Sequence, residues 1–294
     1  MHAFPEGARV AFLGDSLVAA NVTLAHIVHY YNTHLPHRNV RFFNCGISGG
    51  TAGAMLAYLK YDTLPWQPTH AVIALGVNDS RRDLLAKPQS AARYADLLAA
   101  YENYERNLRA LCASLTERGI AVTLCTPAPY AEYQAEGDVP LRGGYALMAG
   151  YAGLCRRIAA ETGLLLCDYH DYLTRRLQEE AFYNPDRIHP NAHGYWHIAR
   201  CFLAWQGMDI GPEQPVAESL REWHEIVVRH RRIWGGEWMI VKKYDQPDEE
   251  KMRFVQAYLD EGRWQPREVM KNYALWYIEG KPIEPALRRA SARN

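Results

Sequence analysis

Short, largely apolar runs punctuate the first two-thirds of the chain, each separated from the next by a longer stretch of mixed polarity. Val10-Ala11-Phe12-Leu13, then 40–44, 71–75, 120–124 and 164–167, are too short for helices and are bounded by turn residues, so they read as buried strands. The stretches 17–31, 51–60, 90–118, 144–161 and 191–205 read as helices. Strands alternating with helices, with the strands apolar on both faces, predict a parallel sheet covered on each side. Right-handed crossovers then collect every strand C-terminus on one edge, where open α/β sheets place their ligands.

What leaves that edge carries the candidate chemistry. Gly14-Asp15-Ser16-Leu17 follows the first strand, and the glycine-rich turn Asn44-Cys45-Gly46-Ile47-Ser48-Gly49-Gly50 ends the second. Gly76-Val77-Asn78-Asp79-Ser80 follows the third, and Asp186-Arg187-Ile188-His189-Pro190 comes after the fifth. Each piece has an ordinary explanation: Ser16 as a helix N-cap, Gly49 and Asn78 as turn residues, Asp-x-x-His as a loop hydrogen bond. Taken together they supply what acyl transfer requires, a hydroxyl, a base, a group that orients the base, and donors for an oxyanion. Ser16 would attack, His189 would take and return the proton, and Asp186 would hold the imidazole in the useful tautomer. The backbone N–H groups of Ser16 and Gly49, with the Asn78 amide, would form the oxyanion hole.

These blocks resemble those of the SGNH hydrolases, the GDSL family of esterases and lipases: Gly14-Asp15-Ser16, Ile47-Ser48-Gly49, Gly76-Val77-Asn78-Asp79 and Asp186-Arg187-Ile188-His189 stand in the family's order. The resemblance covers roughly residues 7–208. It implies a three-layer α/β/α, flavodoxin-like fold with a five-stranded parallel sheet, and ester hydrolysis through an acyl-enzyme without a metal or organic cofactor. One departure is Ser48-Gly49-Gly50-Thr51, where many members have Asp at the third position.

Two competing patterns bear on the assignment. Gly46-Ile47-Ser48-Gly49-Gly50 fits the G-x-S-x-G elbow of α/β-hydrolases, but making Ser48 the nucleophile leaves the Gly-Asp-Ser block and Asn78 without a role. His189, His193 and His197 are spaced four apart, as zinc ligands on a helix can be, yet His193 is followed by Gly194 rather than Glu, and Pro190 puts His189 before the helix. No metal site is expected from that pattern. Arg81, Tyr130 and Tyr133 are further candidates for substrate contact, the tyrosines lying in a long loop at 126–144 that would wall the pocket. Asp168, ending the fifth strand, is expected to make a structural hydrogen bond.

Composition narrows the partners. Lys+Arg and Asp+Glu are equal at 33 each, so no global field favours nucleic acid or an anionic membrane. No basic n-region with an apolar core opens the chain, and no apolar run reaches the roughly 18 residues a membrane span needs, so a cytoplasmic protein is expected. The six cysteines lack metal or disulfide spacing and read as reduced core residues. After a Gly/Pro-rich linker at 207–215 the character changes, and five of the eight tryptophans follow it. The chain therefore divides into a hydrolase domain at 1–210 and a Trp-rich helical extension at 211–294, which would pack on that domain or on a second copy in a homo-oligomer. The expected activity is a serine esterase on small acyl groups, above all acetyl, carried by a glycan or small molecule. Lysophospholipase or thioesterase activity, or a non-catalytic glycan-binding protein with a fossil site, are the alternatives.

Overall fold

The computed structural model describes residues 2–134 and 141–211. The extension beyond residue 211, and with it the homo-oligomer expectation, lies outside the described residues, as does part of the 126–144 loop. Five strands, β1 (Arg9–Gly14), β2 (Arg41–Asn44), β3 (His70–Ala74), β4 (Ala121–Cys125) and β5 (Leu165–Cys167), form one parallel sheet in the order β2-β1-β3-β4-β5. All five expected strands are present, displaced by a residue at most at either end.

Side chains alternate along each strand between two cores. Val10, Phe12 and Val72 point to one face, where α2 (Val22–His34), α6 (Tyr169–Leu177) and α7 (Ala192–Trp205) cover them with Leu24, Ile27, Leu173, Ile198 and Phe202. Ala11, Leu13, Ala71 and Ile73 point to the other, under α3 (Ala52–Asp62), α4 (Ala91–Thr116) and α5 (Gly144–Thr162). This is the two-sided burial that near-continuous apolar strands require. All six cysteines are buried, and none is in a disulfide. Among the described residues, no helix is long and apolar enough to cross a membrane.

Two helical expectations change. The stretch at 17–31 is not one helix: α1 (Ser16–Ala19) stops where Asn21 adopts a left-handed conformation, φ 67°, before α2 begins. The Asn44 amide reaches both sides of that break, donating to Val18 O (2.9 Å) and Asn21 Oδ1 (2.8 Å), so the kink is tied to the end of β2. Helix α6 was not expected from the pattern. Asp168 caps it by accepting from Asp171 N–H at 3.1 Å, and also receives Arg156 and Thr126, the structural role expected of it.

Buried carboxyl groups hold the turns together. Asp15 caps α1 by accepting from Leu17 N–H (3.0 Å) beside an apolar cavity lined by Phe12, Leu24, Val77 and Ile198, and this burial pushes its carboxyl up to about 7. Asp79 accepts from Ala52 N–H (2.9 Å), joining the turn after β3 to the first residue of α3, and burial pushes it up to about 6. Gly14 is dictated by space, because a Cβ there would lie 2.7 Å from Ala74 O on β3 and collide with Val18.

Two predictions follow from this packing. Gly14→Ala should destabilise the protein by about 1–3 kcal/mol, the range for overpacking a tight interior, seen as a lower urea midpoint; an unchanged midpoint would show that β1 and β3 can separate freely. For Asp15 and Asp79, the folded state keeps a proton between about pH 4 and 7 that the unfolded chain has lost. Their joint contribution therefore makes stability fall as pH rises through that window, by at most about 1.4 kcal/mol per unit for each group. Asp15→Asn should flatten the decline in urea denaturation between pH 4.5 and 7.5 relative to the parent, and identical slopes in the two proteins would refute the burial argument.

Candidate active site

Ser16 is the first residue of α1, and the capping role that a serine could have taken here belongs to Asp15. The Ser16 hydroxyl instead meets an imidazole from the far end of the domain, with Oγ 2.8 Å from His189 Nε2 across 173 residues of sequence. Asp186 Oδ2 lies 2.5 Å from His189 Nδ1, while its Oδ1 accepts the backbone N–H groups of Ile188 (3.0 Å) and His189 (2.9 Å). Burial opposes ionisation of Asp186, but the His189 ring and the two backbone donors outweigh it and hold the carboxyl below its usual range. An ionised Asp186 takes the Nδ1 proton as a hydrogen bond. The Nε2 of the neutral ring is then an acceptor, and the Ser16 O–H donates to it.

The loop that presents His189 hangs on backbone hydrogen bonds rather than on the sheet. Arg187, left-handed at φ 58°, offers its carbonyl to Ala131 N–H (3.0 Å), and Asn184 N–H donates to His189 O (2.9 Å). Tyr183 donates to Pro129 O at 2.7 Å from a buried position. The segment between α6 and α7 is thereby fastened to the loop after β4.

Gly49 stands at φ 76° in the turn after β2, exposed, where its N–H is not needed by the turn: the closing bond runs from Gly50 N–H to Ile47 O at 2.7 Å. The Asn78 amide donates to Gly50 O at 3.0 Å, which orients it across the glycine turn and leaves its second N–H as a donor. The departure at position 50 has a local reason, since a Cβ on Gly50 would lie 2.7 Å from Ile47 O. Ser48 sits exposed in this turn, and the imidazole meets Ser16 instead.

The three candidates for substrate contact fare differently. Tyr130 is a correction: it is 1% exposed, its hydroxyl donating to Val77 O (2.7 Å) and lying 2.8 Å from Ser80 Oγ, so it braces the Asn78 turn from inside the core and does not wall a pocket. Its neighbours are tied to the His189 loop, Pro129 O accepting from the Tyr183 hydroxyl and Ala131 N–H donating to Arg187 O. Tyr133 is 80% exposed and lies tilted against Tyr145, with ring centroids 5.6 Å apart. Arg81 is committed to Asp83 through two hydrogen bonds, of 2.8 and 2.9 Å, at the surface. Sequence reasoning passed over Asn44 and Asp79 as site builders, although each lies within a block already singled out.

Comparison with known proteins places this geometry. A model of the GDSL-like lipase/acylhydrolase family matches residues 12–197. An acetylxylan esterase of Geobacillus stearothermophilus is 26% identical over 224 residues, which are 69% of this chain and 95% of that protein. BT4096, a gut microbial diltiazem-metabolizing enzyme, superposes with a TM-score of 0.65 at 25% identity, over 70% of this chain and 48% of that one. A catalytic mutant of Axe2, an acetylxylan esterase from Geobacillus stearothermophilus, shares the fold with a TM-score of 0.60 at 22% identity, over 73% of this chain and the whole of that one. The chain belongs to the GDSL-like lipase/acylhydrolase family and is an SGNH-type ester hydrolase.

Proposed function

We propose that this protein is a serine esterase that removes small acyl groups, chiefly acetyl, from carbohydrate-linked esters through an acyl-enzyme. The observation that carries the reading is the unbroken chain from Ser16 Oγ through the His189 ring to the Asp186 carboxylate, at 2.8 and 2.5 Å. The acetylxylan esterase relative supports the acetyl and glycan parts, and in Axe2 a serine-to-alanine change is a catalytic mutant.

In this reading Ser16 Oγ attacks the ester carbonyl as its proton passes to His189 Nε2. The carbonyl oxygen takes up negative charge between the N–H groups of Ser16 and Gly49 and the Asn78 amide. Collapse of the tetrahedral species breaks the bond to the alcohol, which leaves with the proton from His189. Water then repeats the sequence on the acyl-serine, giving up a proton to His189 and releasing the carboxylic acid and free Ser16. Asp186 stabilises the imidazolium that forms twice in each turnover and fixes which nitrogen faces Ser16.

Hydrolysis of p-nitrophenyl acetate should fall by about 10⁴-fold or more in Ser16→Ala, and by about 10²–10³-fold in kcat for Asn78→Ala with the fold intact. Activity retained at Ser16→Ala and lost at Ser48→Ala would move the nucleophile to the glycine turn. Acetylated xylose or glucose should be turned over in preference to acyl-thioesters and lysolipids, and the reverse ranking would replace the carbohydrate part of the proposal with the thioesterase or lysophospholipase reading.

A further inference from the structure

At the two ends of the segment that carries His189, three potential ligands meet that ester hydrolysis does not use. Glu180 lies just past the end of α6, and His193 and His197 occupy successive turns of α7. Glu180 Oε2 is 2.9 Å from His193 Nε2, Glu180 Oε1 is 2.9 Å from His197 Nε2, and the two Nε2 atoms are 3.1 Å apart. All the potential ligand atoms fall within 4.8 Å of one another.

The spacing of the donors is the informative feature. Each imidazole nitrogen faces its own oxygen of Glu180, yet the two nitrogens stand 3.1 Å apart, and if each Nε2 carries the proton it gives to the carboxylate, neither has a lone pair left for the contact between them. A cation resolves that conflict. With bonds of about 2.0–2.2 Å to nitrogen and oxygen, adjacent ligand atoms of a tetrahedral zinc-like centre stand about 3.3–3.6 Å apart, so the ligand atoms here, at 2.9–3.1 Å, need to part by only a few tenths of an ångström.

The surroundings fit as well. His197 is 2% exposed and its Nδ1 lies 3.4 Å from the Tyr172 hydroxyl, an outer partner of the sort that orients a ligating ring. His193 stacks on Trp196 with the ring planes 14° apart, and Phe182 packs against His197 with ring centroids 5.0 Å apart. His193 and Glu180 remain partly open to solvent, giving an entry path and room for a water in a fourth position.

We propose that Glu180, His193 and His197 form a binding site for one first-row divalent transition-metal ion of the zinc type. Two imidazoles and a carboxylate suit zinc, copper or nickel, whereas calcium and magnesium prefer oxygen ligands throughout. The ion is a staple rather than a reactant. Its ligands flank residues 181–192, the segment that contains Asp186 and His189, so occupancy closes a loop around the base without touching Ser16. Binding to the folded state alone raises stability by mass action.

The test uses the full chain, stripped with chelator and titrated with Zn²⁺ by calorimetry, with Mg²⁺ as control. The parent should bind one Zn²⁺ more per chain than His193→Ala does, and bound metal measured after desalting should differ by the same one ion. Loss of an outer partner alone weakens a site by about 10–100-fold, so losing a ligand in His193→Ala or Glu180→Gln should weaken this one by about 100-fold or more. With free Zn²⁺ about a hundred times above Kd, the melting midpoint of the parent should rise by about 5–10 °C, and that of the variants should not. Zn²⁺ affinity and midpoint shifts that are the same in all three proteins, or no Zn²⁺ binding by the parent, would overturn the site. Esterase activity in chelator should be equal in parent and His193→Ala, and loss of metal binding with activity intact, or the reverse, separates this proposal from the assignment of Ser16 and His189.

Discussion

The reversal of strand order between the parallel neighbours β1 and β3 is the constraint on which the site rests. These strands are neighbours in the order β2-β1-β3-β4-β5, with Gly14 beside Ala74, yet the chain leaves β1 for α1 and α2 on one face and leaves β3 for α4 on the other. Two connections that part in this way open a crevice at the C-terminal edge that no helix fills. Ser16 comes off one lip two residues after β1 and Asn78 off the other four residues after β3. Any topology lacking this reversal would separate the hydroxyl from the amide, whatever their sequence motifs.

Position at the crevice does not by itself give precision, which comes from buried and half-buried polar groups with narrow choices of partner. Asp79 gives one oxygen to Ala52 N–H, so the turn bearing Asn78 cannot shift without pulling the start of α3, and the glycine turn precedes that helix directly. The Asn78 amide closes the same gap from the other side through Gly50 O. Asn44 repeats the device between the glycine turn and α1, donating to Val18 O and accepting Gly46 N–H at 3.0 Å. A buried polar atom that loses its partner costs about 1–3 kcal/mol, so these bonds behave as clamps rather than as optional contacts. Burial also raises Asp15 and Asp79, and the domain sets that cost of charging two carboxyls against the alignment they enforce.

What could be read from the chain was whatever local pattern determines. Strand positions followed from short apolar runs because a parallel sheet buries both faces, and the motif blocks followed from residues that only an edge of such a sheet brings together. The kink at Asn21 was hidden because it depends on Asn44, 23 residues away, and α6 because its capping residue Asp168 directly follows β5 and reads as the end of that strand. Tyr130 shows the same limit in the site itself. A tyrosine in a loop reads as a surface group, and its burial depends on carbonyl and hydroxyl partners at Val77 and Ser80 that no spacing along the loop reveals. Glu180 was invisible for the corresponding reason, being 13 residues from one histidine and 17 from the other.

The two halves of the candidate triad are held by different physics. Ser16 is fixed by the sheet: Gly14 is paired with β3, Asp15 caps the turn, and the hydroxyl follows with little freedom. His189 hangs from a loop whose anchors are the Ala131–Arg187 and Asn184–His189 backbone bonds and the Tyr183 hydroxyl on Pro129. Such a loop has fewer cooperative hydrogen bonds than a strand and opens at lower free energy. The distance between hydroxyl and imidazole therefore depends more on the loop than on the sheet, and a constraint that ties residues 181–192 at both ends acts on the weaker of the two halves. That makes the ground beneath α6 and α7 the place where the alignment of the base can be strengthened without altering any group that touches the ester.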